Sequence, residues 1–253
     1  FFNMRILSLH LLFLTLLLFN CNEKSNTNYS AHNISLDNSI STDSSVVKFY
    51  LPFKKKLEES LMNKPLAYSL STYKKNDGIL NSSLGNMFAD ATFELINPLF
   101  KKTTKKNIDI VLLNNGGIRS IISKGPISEK TAFELMPFEN SIVIVKLNGE
   151  SIQKMIKYLI KVKQPHPIRG LDIILNKDYS LKSLLINNEE FDSEKFYYVA
   201  TTDYLLGGGD KMYFLAESKE TTLLDYKMRD VLINYFKKID TLKLSTDNRF
   251  IIQ

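Results

Sequence analysis

The sequence predicts an α+β domain in which mixed sheets pack with helices, with a mixed α/β layout as the neighbouring alternative. Three observations carry that prediction. Stretches with apolar residues at helical spacing are interspersed with short β-branched runs along one continuous region. Turn pairs and Gly-rich steps punctuate them. The 253 residues, 44% hydrophobic and 11% aromatic, are enough to bury one full core. No internal repeat is apparent.

The elements follow in order. Met4, Arg5 and the apolar residues 6–19 supply the start, the positive charge and the h-region of a signal peptide. The run is too short for a comfortable membrane span. Cys21, the single cysteine, follows Leu18, Phe19 and Asn20 much as in a bacterial lipoprotein cleavage site, although the usual small residues before it are missing. One cysteine closes no internal disulfide. The expectation is an exported protein, on the periplasmic or cell-surface side, held to a membrane by lipid on Cys21. An ordinary signal with an incidental cysteine is the alternative. Residues 22–45, mostly Ser, Asn, Thr and Asp with scattered apolar residues, bury too little to offset their ordering entropy and predict a flexible tether. The domain is expected over 46–253.

Within it, Leu84, Phe88, Ala91 and Leu95 recur at helical spacing behind a serine cap and predict a helix over 83–95. Residues 108–113 form a short apolar run, a buried strand. Residues 141–147 predict a β-branched strand ending at the Asn148-Gly149 turn pair. Ile152, Met155, Ile156, Leu159 and Ile160 then form a stripe opposite Lys154, Lys157 and Lys161, hence a helix. Residues 171–175, 183–186 and 196–201 are further strands, with Asn187-Asn188 turning between the last two. A closing helix is expected from near Asp225, carried by Met228, Val231, Leu232 and Tyr235, and a last strand over 249–252.

The formal net charge is +6, with a dense lysine cluster at Lys101, Lys102, Lys105 and Lys106. A basic balance attracts nucleic acid, anionic membranes or anionic small molecules. No arginine or aromatic residue interleaves the cluster, so it is taken as a solvated surface and no nucleic-acid partner is expected.

Three segments look unlike ordinary core or surface. NNGGIRS, residues 114–120, lies at a strand end; its glycines admit a ligand close to the backbone, and Arg119 offers a planar fork of donors. Alone it is also ordinary turn chemistry. In the step Pro137, Phe138, Glu139, Asn140, an aromatic ring fixed by proline can face a flat ligand, though phenylalanine is more often core. In TTDYLLGGGD, residues 201–210, Tyr204 offers a second ring and Asp210 an acceptor, against the alternative of a Gly-rich turn with a capping aspartate.

In this order and at these separations, the three segments resemble the C-terminal domain of the 5′-nucleotidase family. The resemblance runs over residues 46–252 and includes SSLGNMFADA at 82–91, similar to the family's helix before the first motif strand. It implies a nucleotide or nucleoside ligand whose base lies between two rings, here Phe138 and Tyr204. It implies that Asn114 and Arg119, with Gly116 and Gly117 between them, contact the base and the ribose or phosphate end, and that Asp210 binds the ribose hydroxyls. The physics of the groups agrees: base faces are π-surfaces, a carboxylate accepts from a vicinal diol, and arginine suits phosphate.

Two departures stand out. Many members carry another arginine shortly before the SSLGN-like helix; here Lys74, Lys75, Asn76, Asp77 and Gly78 occupy that stretch. Family enzymes also carry a two-metal phosphoesterase half built from Asp, His and Asn ligands with a catalytic histidine. This sequence holds three histidines, His10 in the signal run, His32 in the tether and His166, and one domain histidine does not supply such a centre. No catalytic residue, metal site or cofactor is therefore expected in this chain, and the divalent metal pair is expected only in a partner. The expected function is the nucleotide-recognition part of a split 5′-nucleotidase acting with a separate metallophosphoesterase subunit. The rivals are a non-catalytic, lipid-anchored nucleoside- or nucleotide-binding module and a degenerate interaction scaffold.

Overall fold

Apolar residues alternating between the two faces of a five-stranded sheet organise this protein. A computed structural model describes residues 29–62 and 64–253; the expected signal run and Cys21 lie outside the described residues. The chain divides into two units at Phe49 and Tyr50, a boundary inside helix α1 (Ser44–Met62). In the described part of the first unit, residues 29–43 form no helix or strand. Asp43 caps α1, its carboxylate accepting from the Ser45 amide at 2.7 Å and the Ser45 hydroxyl at 2.6 Å. No described helix is long and apolar enough to cross a membrane.

The second unit continues with β1 (Ala67–Ser69), α2 (Ser83–Thr104), β2 (Ile110–Leu112), β3 (Gly125–Ile127), α3 (Glu129–Leu135), β4 (Ser141–Asn148) and α4 (Gly149–Val162). There follow β5 (Ile168–Arg169), β6 (Leu171–Leu175), β7 (Leu181–Ile186), β8 (Glu189–Glu190), β9 (Phe196–Thr202) and α5 (Asp203–Leu206). Last come β10 (Thr221–Lys227), α6 (Met228–Lys238), β11 (Thr241–Leu242) and β12 (Phe250–Ile252). The strands form three sheets in the orders β11-β1-β3, β10-β4-β9-β2-β5 and β12-β6-β7-β8. Each mixes parallel and antiparallel pairs. The fold is α+β with mixed sheets, as the sequence predicts.

Period-two alternation sends neighbouring residues of the central sheet to opposite sides. Val111, Ile142, Ile144 and Ala200 join a core with α2, α3 and α6. Ile110, Leu112, Val145, Leu147 and Val199 join a second core with α4, β6 and Phe250. The sheet is thus covered on both faces, which is why the β2 run is continuously apolar.

Several boundaries differ from the expected ones. Helix α2 begins behind Ser82, whose hydroxyl accepts from the Gly85 amide at 3.1 Å. It runs past residue 95 and through Pro98 to a left-handed cap at Lys105; Lys101 and Lys102 occupy its last turn, where cations complement the helix dipole. Asn148 and Gly149 do not make a positive-φ turn. Asn148 ends β4 and caps α4 directly, its side-chain oxygen accepting from the Ser151 amide at 3.0 Å. The closing helix starts at Met228 rather than near Asp225. Residues 225–227 instead finish β10, whose Thr221, Thr222 and Leu223 pair with β4 before a register shift brings Lys227 opposite Ser141. Pairing with an existing strand overrides the helical spacing there. Asn187 and Asn188 do turn with positive φ, but into the short strand β8.

Candidate functional site

The central sheet brings the three unusual segments to one edge. β2 and β9 run parallel, so their C-terminal ends lie side by side, and β4 runs antiparallel to β9, so its N-terminal end joins them. NNGGIRS leaves the first of these ends, TTDYLLGGGD the second, and the PFEN step enters the third. Ligands of open sheets characteristically sit beyond the carboxyl ends of parallel strands. Here that position is a cleft of about 230 Å³ lined by Asn114, Gly116, Gly117, Arg119, Phe138, Asn140, Tyr204 and Asp210. All seven residues singled out from the sequence face it, together with Asn140.

Asn114 and Asp210, 96 positions apart, meet at 2.8 Å, the amide Nδ2 donating to Oδ2. The Tyr204 hydroxyl donates to the other carboxylate oxygen at 3.1 Å. Both oxygens of Asp210 are thereby oriented, and each keeps a further lone pair for a ligand donor. This hydrogen bond, with the carboxylate charge, holds the Tyr204 phenol above its usual range. The backbone carbonyl of Asp210 accepts from the Tyr158 hydroxyl at 2.8 Å.

Two of the glycines are set by close contact. A Cβ on Gly117 would lie 2.9 Å from the Asn114 side-chain oxygen, and one on Gly209 would meet the Tyr204 ring at 2.4 Å. Asp210 and Lys211 themselves adopt positive φ, so the GGGD turn is built around the placement of Tyr204 and Asp210 rather than around its own strain relief. Phe138 and Tyr204 are 40% and 46% exposed, unlike the aromatic rings of the core. The Arg119 guanidinium lies 5.7 Å from the Phe138 ring centroid and has no carboxylate partner among the described residues. Its cationic head is exposed at the cleft.

A larger groove of about 360 Å³ surrounds Asp90, Arg169, Asp247 and Arg249. Its arginines are already committed: Arg169 to Asp90 at 2.9 Å, Arg249 to Asp90 at 3.0 Å and to Asp247 at 2.6 Å. A ligand there would have to break those pairs. The smaller cleft asks for no such exchange.

Similarity to known proteins points the same way. The family model described as "5′-nucleotidase, C-terminal domain" matches residues 66–217. The chain belongs to this family. Among relatives, an apyrase of Tabanus yao is 22% identical over 196 residues, covering 70% of this chain and 35% of that protein. Protein UshA of Escherichia coli is 30% identical over 143 residues, covering 54% and 26%. A 5′-nucleotidase precursor from Thermus thermophilus superposes with a TM-score of 0.68 at 20% identity, over 83% of this chain and 43% of that one. The chain thus spans less than half the length of these relatives. Every residue lining the cleft falls within the matched 5′-nucleotidase C-terminal domain segment.

The donor set of this 5′-nucleotidase domain cleft, one carboxylate beside two amides, a phenol and a guanidinium, does not fit a two-metal centre, which needs several anionic or imidazole ligands. No group of three or more potential ligands gathers elsewhere among the described residues. Three residues of the site were not singled out from sequence. Asn140 stands inside the PFEN step, where the aromatic ring is the conspicuous feature. Tyr158 belongs to the apolar register of α4, and His166 lies in a Pro-His-Pro stretch with no partner at a telling spacing. Lys75, in the stretch lacking the expected arginine, donates to the Ile118 carbonyl at 2.9 Å and the Asn115 carbonyl at 3.4 Å, behind the NNGG turn.

Proposed function

We propose that this domain recognises the nucleoside part of a nucleotide whose phosphate is removed by a 5′-nucleotidase-type hydrolase. The observation that carries this reading is the cleft itself. Two part-exposed aromatic residues, a carboxylate with both oxygens oriented and a guanidinium bonded to the Gly116 carbonyl but to no carboxylate among the described residues converge on one space. That set matches the chemistry of a base, a vicinal diol and a phosphate. Phe138 and Tyr204 take the base, Asp210 with Asn114 takes the ribose hydroxyls, and Arg119 steers the phosphate end. The domain contributes orientation; bond breaking belongs to the metal-holding half.

In our reading that half is a separate metallophosphoesterase chain; what supports placing the metal pair outside this domain is that it holds one histidine and that no group of three or more potential metal ligands gathers among the described residues. The expected result is that the purified chain, with added divalent metal, releases no phosphate from AMP, and that release appears when the partner is added. Metal-dependent release by the chain alone, after removal of contaminating phosphatase, would contradict this. The rival reading, a binding module without hydrolase, predicts nucleotide binding and no gain with any partner. We further propose export and lipid attachment at Cys21, on the strength of the apolar run before it. Mass spectrometry of the mature N-terminus checks this: a diacylglyceryl cysteine is expected, and an unmodified start beyond Cys21 refutes it.

A further inference from the structure

A single buried imidazole stands behind both halves of the cleft. His166 is 3% exposed. Its Nδ1 accepts the Asn115 amide hydrogen at 3.2 Å across 51 positions. The same segment makes two more bonds to the end of β2: the Leu113 amide donates to the Pro167 carbonyl at 2.9 Å, and Asn115 Nδ2 to the Pro165 carbonyl at 3.2 Å. On its other side the imidazole packs against the Tyr158 ring, centroids 5.9 Å apart. That tyrosine is the one whose hydroxyl holds the Asp210 carbonyl. The ring therefore touches the support of Asn114 and the support of Asp210, the two residues that meet at 2.8 Å across the cleft.

We propose that His166 is a positioning residue for nucleoside binding, fixing the Asn114 turn through Nδ1 and the Asp210 turn through Tyr158. The inference rests on the nucleoside reading of this cleft. An ordinary core histidine would serve as filler with both nitrogens paired to whatever lies near. Here Nε2 is buried without a hydrogen-bond partner, while Nδ1 accepts the Asn115 amide hydrogen. Accepting a backbone N–H requires a lone pair on Nδ1, which places the ring proton on Nε2. The groups facing the ring are Tyr158 from α4, Asp210 from the 3₁₀ turn Gly209–Lys211, and the Leu113 and Asn115 backbone from the end of β2. Burial pushes the imidazole down to about 4, against the opposing pull of the Asp210 charge and the Leu113 backbone. The neutral, accepting form is therefore the one present at neutral pH.

The test separates the acceptor from the bulk. In His166→Asn the amide oxygen stands where Nδ1 stood; His166→Leu fills space without an acceptor, and Tyr158→Phe keeps the ring but releases the Asp210 carbonyl. Calorimetry with adenosine on the full chain is expected to give near-parental affinity for His166→Asn. It should give about tenfold or greater weakening for His166→Leu, as befits a buried donor left unpaired. Tyr158→Phe should weaken adenosine binding and leave Asn115 amide exchange unchanged. In the parent, ¹⁵N spectra should show an unprotonated Nδ1 and slow exchange of the Asn115 amide. A protonated Nδ1 at neutral pH, or parental affinity in a folded His166→Leu, would overturn the proposal. If His166→Leu does not fold in a thermal melt, the Nδ1 state and the Tyr158→Phe affinity decide. A parent chain that binds no nucleoside overturns the functional reading instead, and the ¹⁵N and exchange data still judge the brace.

Discussion

In the proposed nucleoside reading, the side chains of the cleft take different chemical tasks, and those tasks separate by mutation. On the proposal that Phe138 and Tyr204 stack on a base, Phe138→Ala or Tyr204→Ala should each weaken adenosine binding by roughly 1 to 3 kcal/mol. Asp210→Asn exchanges one acceptor oxygen for a donor and should weaken adenosine more than adenine, since only the nucleoside carries the diol. Calorimetry with both ligands on the three variants, beside thermal melts, reads these effects; equal losses for adenosine and adenine in Asp210→Asn would remove the ribose role. At this scale much of the cleft was legible beforehand. Glycines, an arginine, an aspartate and two aromatic residues beside turns are conspicuous because core packing does not explain them. His166 was not legible, because its meaning lies in a contact with Asn115 that no local spacing announces.

At the scale of elements, the Ser82 cap, the long runs and the apolar strands β2 and β12 were legible, and several other short strands were not. Ser82 ahead of α2 and the stripe of α4 are local signals, and both elements form where local chemistry places them. β1, β3, β5 and β11 are two or three residues long, too short for any period to show, and they exist only because a neighbouring strand pairs with them. β10 was hidden for a related reason: its end overlaps the helical spacing of α6, and only pairing with β4 decides the contest. Because the Ser82 hydroxyl satisfies an otherwise orphaned amide at a buried helix start, Ser82→Ala should cost about 1 kcal/mol, read as a lower midpoint in urea unfolding. An unchanged midpoint would mean that another group takes over the cap.

At the scale of the whole molecule, topology does the assembling. Parallel β2 and β9 and antiparallel β4 bring three distant segments to one sheet edge, and helices on both faces make that edge rigid enough to hold a site. The burial that secures the site also sets a pH dependence. His166 titrates at 6.5 when unfolded and at about 4 in the fold, so as pH falls the unfolded chain takes up the proton first. The stability contributed is full above about 6.5 and is lost as pH falls toward about 4, by roughly 3 kcal/mol. Urea unfolding across that window should lose this component in His166→Asn, which does not titrate; an identical pH profile in that variant would show that other groups govern it.

The central claim is that the cleft between the ends of β2, β9 and β4 is where a nucleoside binds. Backbone amide shifts recorded while adenosine is titrated into ¹⁵N-labelled chain test it most directly. Saturable shifts concentrated at Gly116, Gly117, Asn140 and Asp210, with Gly170 and Asn188 of the larger groove unmoved, are the predicted result. Shifts concentrated at Gly170 and Asn188, or none at saturating adenosine, would contradict it.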